Sequence, residues 1–459
     1  MQTWIQVAPP PPMDQNAYWQ ELNKRLNATL RINIVPQGDY PAKLAVTMAG
    51  NDLPDILYIG NRTLTAGLPE FLKARCADLT PYLSGDAVKD YPNLANLPTS
   101  TWTAMAFSGA IYGVPVPINP FDWVLFVHQE LMDQAGLKHP KNAEEFKAIL
   151  QALNKPQSNQ WGINTEGGTG FGVTSGLYPG MFGAPNQWRV DSAGKFTRSL
   201  ETEEYKAAVA FARDMYATGA VTPTALQLDN TAGKIEFHSR KSALRWDGFR
   251  SYGIFWEQGA QLQPKPVYRT IYPFAHDGGK PTYYLSPGHR GFSVIKKASA
   301  DRVKEMLRIL NWIAAPFGSE EGHLRAYGLE GVHHTVDANG WPVLTDQGRT
   351  ETTVPLGWMT QPAPTLSSTR FGPDYARLLQ SDEIAYLPAG ISDPTTALDS
   401  PTTNTKGPLI YQTWLDGMTA IVSGRRPFSD YDQLVKDWRS SGGDTIRSEY
   451  EKAYAASKA

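Results

Sequence analysis

The chain of 459 residues has one cysteine, Cys76. A single thiol excludes an internal disulfide and a thiolate metal cage. In "FLKARCADL", with no histidine beside it in sequence, it reads as a small buried side chain at a helix end. Net charge is nearly absent as well: 43 basic against 45 acidic residues leave -2. The clustered basic excess that phosphate backbones demand is missing, so no nucleic-acid partner is expected. No apolar run approaches the roughly 20 residues a membrane-crossing helix needs. The motifs GxSxG, GxxxxGKS/T, HExxH and GxGxxG do not occur. The glycine-rich "TEGGTGFG" (Thr165–Gly172) follows no clean strand and lacks the phosphate-binding lysine. His333 and His334 are adjacent, so on a strand they point apart, and no carboxylate stands at ligand spacing; neither a metal nor a cofactor is expected. Met1 and Gln2 lead straight into "TWIQV", which reads as a strand, so either the protein is cytoplasmic or an export segment has been removed.

Aromatic residues, by contrast, are plentiful. Thirteen tryptophans and 21 tyrosines exceed what cores of this size need, and a tryptophan combines a broad apolar face with one N–H donor, which suits clefts for amphipathic ligands. The length predicts two or three domains. "TWIQV" (Thr3–Val7), a helix carrying Trp19, Leu22 and Leu26, "LRINIV" (Leu30–Val35), a helix over Tyr40–Gly50 and the strand in "LPDILYIG" alternate as βαβαβ. That order argues for a doubly wound sheet whose binding edge lies at the strand C-termini. Asn142 with Glu145, and Thr202 with Glu203 and Glu204, mark two helix starts, and Gly219 a stop. Gly442 and Gly443 break the closing "DYDQLVKDWRSSGGDTIRSEYEKAY" into a helix pair.

Several longer runs carry a family resemblance. "KLAVTMAGNDLPDILYIG", "GAIYGVPV" and "VLFVHQELMDQAGLKHPKNAEEFKAIL" occur in that order. They are followed by "FGAPNQWRVDSAGKFTRSLETEEYKAAVAFARDMYATGAV", "AYGLEGVHHTVDANGWPV" and "VPLGW". In this series the chain resembles extracellular solute-binding proteins of ABC importers, the oligosaccharide-binding lipoprotein class related to alginate-oligosaccharide binders. The resemblance implies an α/β, two-lobed periplasmic-binding-protein-like fold (type II), each lobe a mostly parallel sheet flanked by helices, with the ligand cleft between lobes. It places an N-terminal lobe at 1–118 plus about 293–350 and a C-terminal lobe at 123–287 plus about 358–459. Crossovers are expected near 119–122, 288–292 and 351–357. It implies a monomer that captures an oligosaccharide, closes by hinge motion and delivers it to membrane permease subunits, without catalysis. It also implies an extracellular or periplasmic site of action and a lipid anchor in the native precursor, whose signal peptide and lipidated cysteine this sequence lacks. The alginate binders hold calcium in an Asp/Asn-rich loop; the matching "NKPQSNQWGINTEGG" (Asn154–Gly168) has no aspartate, so no metal is expected there.

A sugar cleft needs flat rings for the C–H faces and polar groups for the hydroxyls, and covering one face contributes about 1–2 kcal/mol at roughly 25 cal/mol per Å². Candidate platforms are Trp123, Trp188, Trp246, Trp256 and Trp358; Trp246 matches a sugar-stacking tryptophan of the alginate-binding relatives. Candidate polar partners are Asn16, which alternatively caps the first helix, with Arg62, Asn119, Asp122, Glu166, Asp247, Arg250, His289 and Arg290. The near-zero charge favours a neutral glycan over a uronate, although Arg62, Arg245, Arg250 and Arg290 would allow a local cationic pocket. In "PINPFDW" (Pro117–Trp123) the prolines restrict a hinge, and the unpaired backbone with Asn119 and Asp122 is expected to face the cleft floor. Two other readings stand beside this one: a secreted glycoside hydrolase using two of Asp122, Glu166 and Asp247, and a binder of a non-sugar solute such as a peptide.

Overall fold

The computed structural model describes residues 1–60, 65, 67–103, 105–107, 109–338, 340–363, 372–396 and 398–458. The strands that build the two main sheets are β1 (Gln2–Ile5), β2 (Asn33–Pro36), β3 (Ile56–Ile59), β4 (Gly113–Pro117), β5 (Trp123–His128), β6 (Trp161–Asn164), β7 (Ser242–Gly248), β8 (Tyr268–Ile271) and β9 (His289–Ile295). The chain divides into a first unit, 1–119 with 287–377, and a second, 120–286 with 378–459. The last boundary falls some 20 residues beyond the 351–357 expected from sequence. The reason is burial: Leu356 and Met359 are sealed in the first unit's core. The Met359 carbonyl accepts from Ser293 Oγ at 2.6 Å, and Thr360 Oγ1 donates to the Pro115 carbonyl at 2.8 Å. Trp358 accordingly belongs to the first unit, not to a C-terminal lobe.

In the first unit the strand order is β2-β1-β3-β9-β4. β1 runs parallel to β2 and β3, whereas β9 is antiparallel to β3 and β4. The sequence "ILYI" of β3 is buried throughout, as a central strand covered on both faces must be. β4, "GVPVP", carries two prolines because it is an edge strand with β9 as its neighbour, and an edge tolerates residues without an N–H. The C-terminal ends of β1, β3 and β4 and the start of β9 share one edge, with His289 opposite Pro117 and Phe292 opposite Ile59.

The second unit has the order β8-β5-β7-β6. β7 is parallel to β6, and β5 is antiparallel to both β7 and β8. One edge therefore collects the ends of β6 and β7 and the start of β5. Beneath β5 lies an aromatic core in which Phe126 meets Tyr252 and Phe255 edge-on at 5.2 Å each. Flanking helices start where their caps predict: Asn142 accepts from the Glu145 N–H at 2.8 Å, and Thr202 from the Tyr205 N–H at 3.3 Å. The Glu145 carboxylate reaches back to the Lys141 N–H at 2.8 Å, one residue before the expected partner. Gly442, at φ 135°, separates helix Tyr431–Trp438 from Asp444–Lys458.

Gly162 in β6 lies so close to helix Ala143–Leu153 that a β-carbon would sit 2.5 Å from the Leu150 carbonyl oxygen. Gly162→Ala is expected to destabilise the protein by about 1–3 kcal/mol, since backbone cannot yield as a side chain does. Chemical denaturation checks it; an unchanged midpoint would show that helix and strand can separate without cost.

Candidate functional site

Each sheet ends in a cluster of candidate residues. At the first unit's edge Trp4 of β1 meets Trp358 at 4.9 Å and 90°, and Tyr58 at 5.3 Å. The Arg290 guanidinium lies 3.7 Å from the Trp358 ring centroid. Its Nη2 donates to the Gly357 carbonyl at 2.6 Å and to Gln361 Oε1 at 3.2 Å. Asn119 and His289, both half-buried, occupy the adjoining ends of β4 and β9. Trp358 is thus stacked by a cation on one side and propped by Trp4. Trp4 is half-buried in this cluster, and its indole nitrogen is buried without an acceptor.

At the second unit's edge Trp123 and Trp246 stack at 6.1 Å with 25° between their planes. Trp246 is 6% exposed and donates from its indole N–H to Ser175 Oγ at 2.8 Å. It therefore supports the pair, and the half-buried Trp123 is its accessible member. The segment 120–123 is not the unpaired floor expected from its prolines. The Pro120 carbonyl accepts from Ser286 N–H at 2.7 Å, the Asp122 carbonyl from Phe249 N–H, and the Trp123 carbonyl from the Tyr283 hydroxyl at 2.6 Å. Phe121, wholly buried, packs on Phe249 at 4.5 Å. Asp122 is half-buried, and burial pushes its carboxyl up to about 6; the Arg250 charge pulls it back down and Asp247 adds to the rise. Arg250 itself is exposed at the start of helix Ser251–Gly259.

Below this pair the remaining carboxylates are spoken for. Arg245, wholly buried in β7, donates from Nε to Asp247 Oδ2, from Nη1 to Asn164 Oδ1 and from Nη2 to Glu166 Oε1, each at 2.8 Å. Nη2 also reaches the Asn230 carbonyl at 3.3 Å, and Lys234 Nζ stands 3.6 Å from Asp247 Oδ2. Gly233 makes room, since a β-carbon there would lie 2.0 Å from Arg245 Nη1. Asp247 and Glu166, expected as hydroxyl acceptors, serve this ion-pair network instead. Arg245, which the sequence offered for a cationic pocket, is neutralised here, and Asn230 and Lys234 had no sequence signal as members, because the network joins segments far apart in the chain.

Other expectations are corrected. Trp188 is 4% exposed and packs on Phe196, Trp438 and Tyr450, with Arg198 5.2 Å from its ring, so it is core. Asn16 is fully buried, caps its helix through Trp19 N–H at 2.8 Å and donates to the Glu351 carbonyl at 3.1 Å; the capping alternative holds. Trp256 is half-buried on its helix, 5.7 Å from Lys265 Nζ. Arg62 lies outside the described residues. His333 donates to Glu351 at 3.1 Å and His334 faces His323 at 3.3 Å, so the adjacent pair does point apart. A cavity of about 380 Å³ opens at the opposite edge of the first sheet, where Arg302 holds Asp55 at 2.7 Å and Glu305 at 2.6 Å. Among the described residues no group of three or more metal-ligating side chains occurs.

Comparison with known proteins adds the following. The model of the bacterial extracellular solute-binding protein family matches residues 17–339. The lipoprotein LipO of Bacillus subtilis is 22% identical over 98% of this chain and 91% of its own. The polygalacturonan/rhamnogalacturonan-binding protein YtcQ of the same organism is 24% identical over 98% and 89%. The crystal structure of the N-glycan transport solute binding protein NgtS from Streptococcus pneumoniae superposes with a TM-score of 0.71 at 16% identity, covering 99% of this chain and 98% of that one.

Two outcomes follow from the second cluster. Arg245→Met is expected to cost about 3–5 kcal/mol, because it strands the buried Asp247 carboxylate and the half-buried Glu166; denaturant midpoints read it, and a loss within the noise would mean the network is not closed to water. For Asp122, a folded carboxyl raised above its unfolded value costs stability while ionised and regains it as pH falls through about 6. Asp122→Asn should therefore melt higher than wild type at pH 8, with the gain fading towards pH 5. A gain that persists unchanged at pH 5 contradicts this.

Proposed function

We propose, from the premise that the chain belongs to the bacterial extracellular solute-binding protein family, that it captures an oligosaccharide for an ABC importer and hands it to membrane permease subunits. Binding of an extracellular solute is the family's role. The sugar, the permease, a monomeric state and a lipid anchor in the native precursor are this reading's additions. The observation that carries it is the Trp123–Trp246 stack with Asp122 and Arg250 at its rim. A ring pair gives a pyranose a flat apolar face, and its second member keeps the first from tilting, so little order is lost on binding. An ionised Asp122 accepts from two hydroxyls at once, and Arg250 donates beside it.

Relatives support the same class. YtcQ is named for the polygalacturonan and rhamnogalacturonan it binds, and NgtS for N-glycan transport. A non-catalytic role is supported by the carboxylates themselves. A glycosidase needs an acid and a second free carboxylate, and Glu166 and Asp247 are both held by Arg245.

A thermal-shift screen against a glycan library tests the reading, because a ligand raises apparent stability by RT ln(1 + [L]/Kd). At least one oligosaccharide should raise the melting temperature. In calorimetry with that ligand, Trp123→Ala should weaken binding at least tenfold with the far-UV spectrum unchanged, whereas Trp188→Ala should lower stability first. Stabilisation by peptides with none by glycans, or release of cleaved sugar at catalytic rates, would overturn it.

A further inference from the structure

Among the buried N–H donors of the first unit that lack an acceptor are Nε and Nη1 of Arg290 and Nε1 of Trp4. They belong to one cluster, because Arg290 and Trp4 both contact the Trp358 ring, at 3.7 and 4.9 Å. Arg290 is held there by neutral acceptors, the Gly357 carbonyl and Gln361 Oε1, both on Nη2. Among the described residues no carboxylate pairs with it. The contrast with Arg245 is direct, since that guanidinium has two carboxylates, a side-chain amide and a backbone carbonyl. An arginine cannot shed its proton, and a buried donor without an acceptor is costly, so the orphaned groups call for a partner from outside the chain.

The backbone is shaped for the same place. The register between β9 and β4 shifts between His289 and Phe292. Gly291, at φ 132°, permits the shift, because a β-carbon there would lie 2.4 Å from the Ile59 carbonyl oxygen. A bulge of this kind re-aims a side chain. Here it sets Arg290 at the C-terminal edge of the sheet, where α/β sheets take their ligands.

We propose that Arg290, Trp358 and Trp4 form a carboxylate subsite, and that the captured glycan is a uronic-acid oligosaccharide. The inference rests on the oligosaccharide reading above. A carboxylate brings two acceptor oxygens and the negative charge that Arg290 is missing, which a sugar hydroxyl does not. Stacking on Trp358 holds the guanidinium plane before the ligand arrives. This reverses the preference for a neutral glycan drawn from net charge, because one half-buried cation without a carboxylate beside it outweighs a balance summed over the whole surface.

Calorimetry on the intact chain tests it, using trimers of galacturonate, mannuronate and glucuronate beside their methyl esters, which keep the shape and remove the charge, and neutral oligosaccharides of equal length. At least one free acid should bind tenfold or more tighter than its ester. Arg290→Gln should abolish that preference, Arg290→Lys should restore part of it, and Trp4→Phe, which keeps the ring and loses the N–H, should weaken the acid severalfold without changing the fold. Equal affinity for acid and ester overturns the subsite, as does a preference that survives Arg290→Gln. If Arg290→Gln melts below wild type, Trp4→Phe decides, and undiminished acid binding there overturns it. Binding of neutral oligosaccharides alone overturns the subsite and leaves the oligosaccharide reading standing; binding of no glycan at all overturns both.

Discussion

A guanidinium closed off from water fixes the second unit's working edge. Arg245 ties the ends of β6 and β7, the loop carrying Glu166 and the first turn of helix Asn230–His238 into one network. Each bond is charge-assisted or short, and the price of breaking one is a buried charge without a partner. Two cations, Arg245 and Lys234, stand with two carboxylates, Asp247 and Glu166. The network is thus electrically balanced, and it holds β7 where Trp246 can brace Trp123. The accessible ring is kept in place by a polar cluster that it does not touch.

The same chemistry distinguishes groups that maintain the protein from groups left for a ligand. Asp247 and Glu166 each give Arg245 one carboxylate oxygen, and Asn16 caps a helix start. Asp122 has a raised carboxyl and an exposed arginine for company, and Arg290 has donors that no protein oxygen meets. Residue type does not separate these cases. Two arginines near aromatic rings, both plausible in the sequence, differ because one is surrounded by carboxylates and the other by carbonyl and amide oxygens.

Local features were legible in the sequence. The caps at Asn142 and Thr202 and the break at Gly442 all depend on residues within a few positions, so their signals are contiguous. The motif series also pointed to the family and to a chain in two parts. Trp246, a candidate platform in the sequence, stacks with Trp123, but its cover and its bond to Ser175 were not visible, since Ser175 is 71 positions away. Trp188 looked the same as the others in sequence and proved to be core, because the strands and helices that enclose it come from distant segments. The third boundary was misplaced for a related reason: two buried apolar side chains, Leu356 and Met359, draw that segment back onto the first sheet, and no local residue marks the return.

By itself, then, the sequence determined the elements, the family and the aromatic and polar inventory, because helix caps, strand periodicity and motif order are written along the chain. Tertiary structure alone decided which of those side chains are occupied. Arg245 meets Asn164 and Glu166 across 81 and 79 positions, and Arg290 meets Gly357 across 67. Whether a charge is neutralised within the protein or stands ready for a ligand is a matter of what lies within about 3 Å in space, and separations of that order cannot be read from order along a chain.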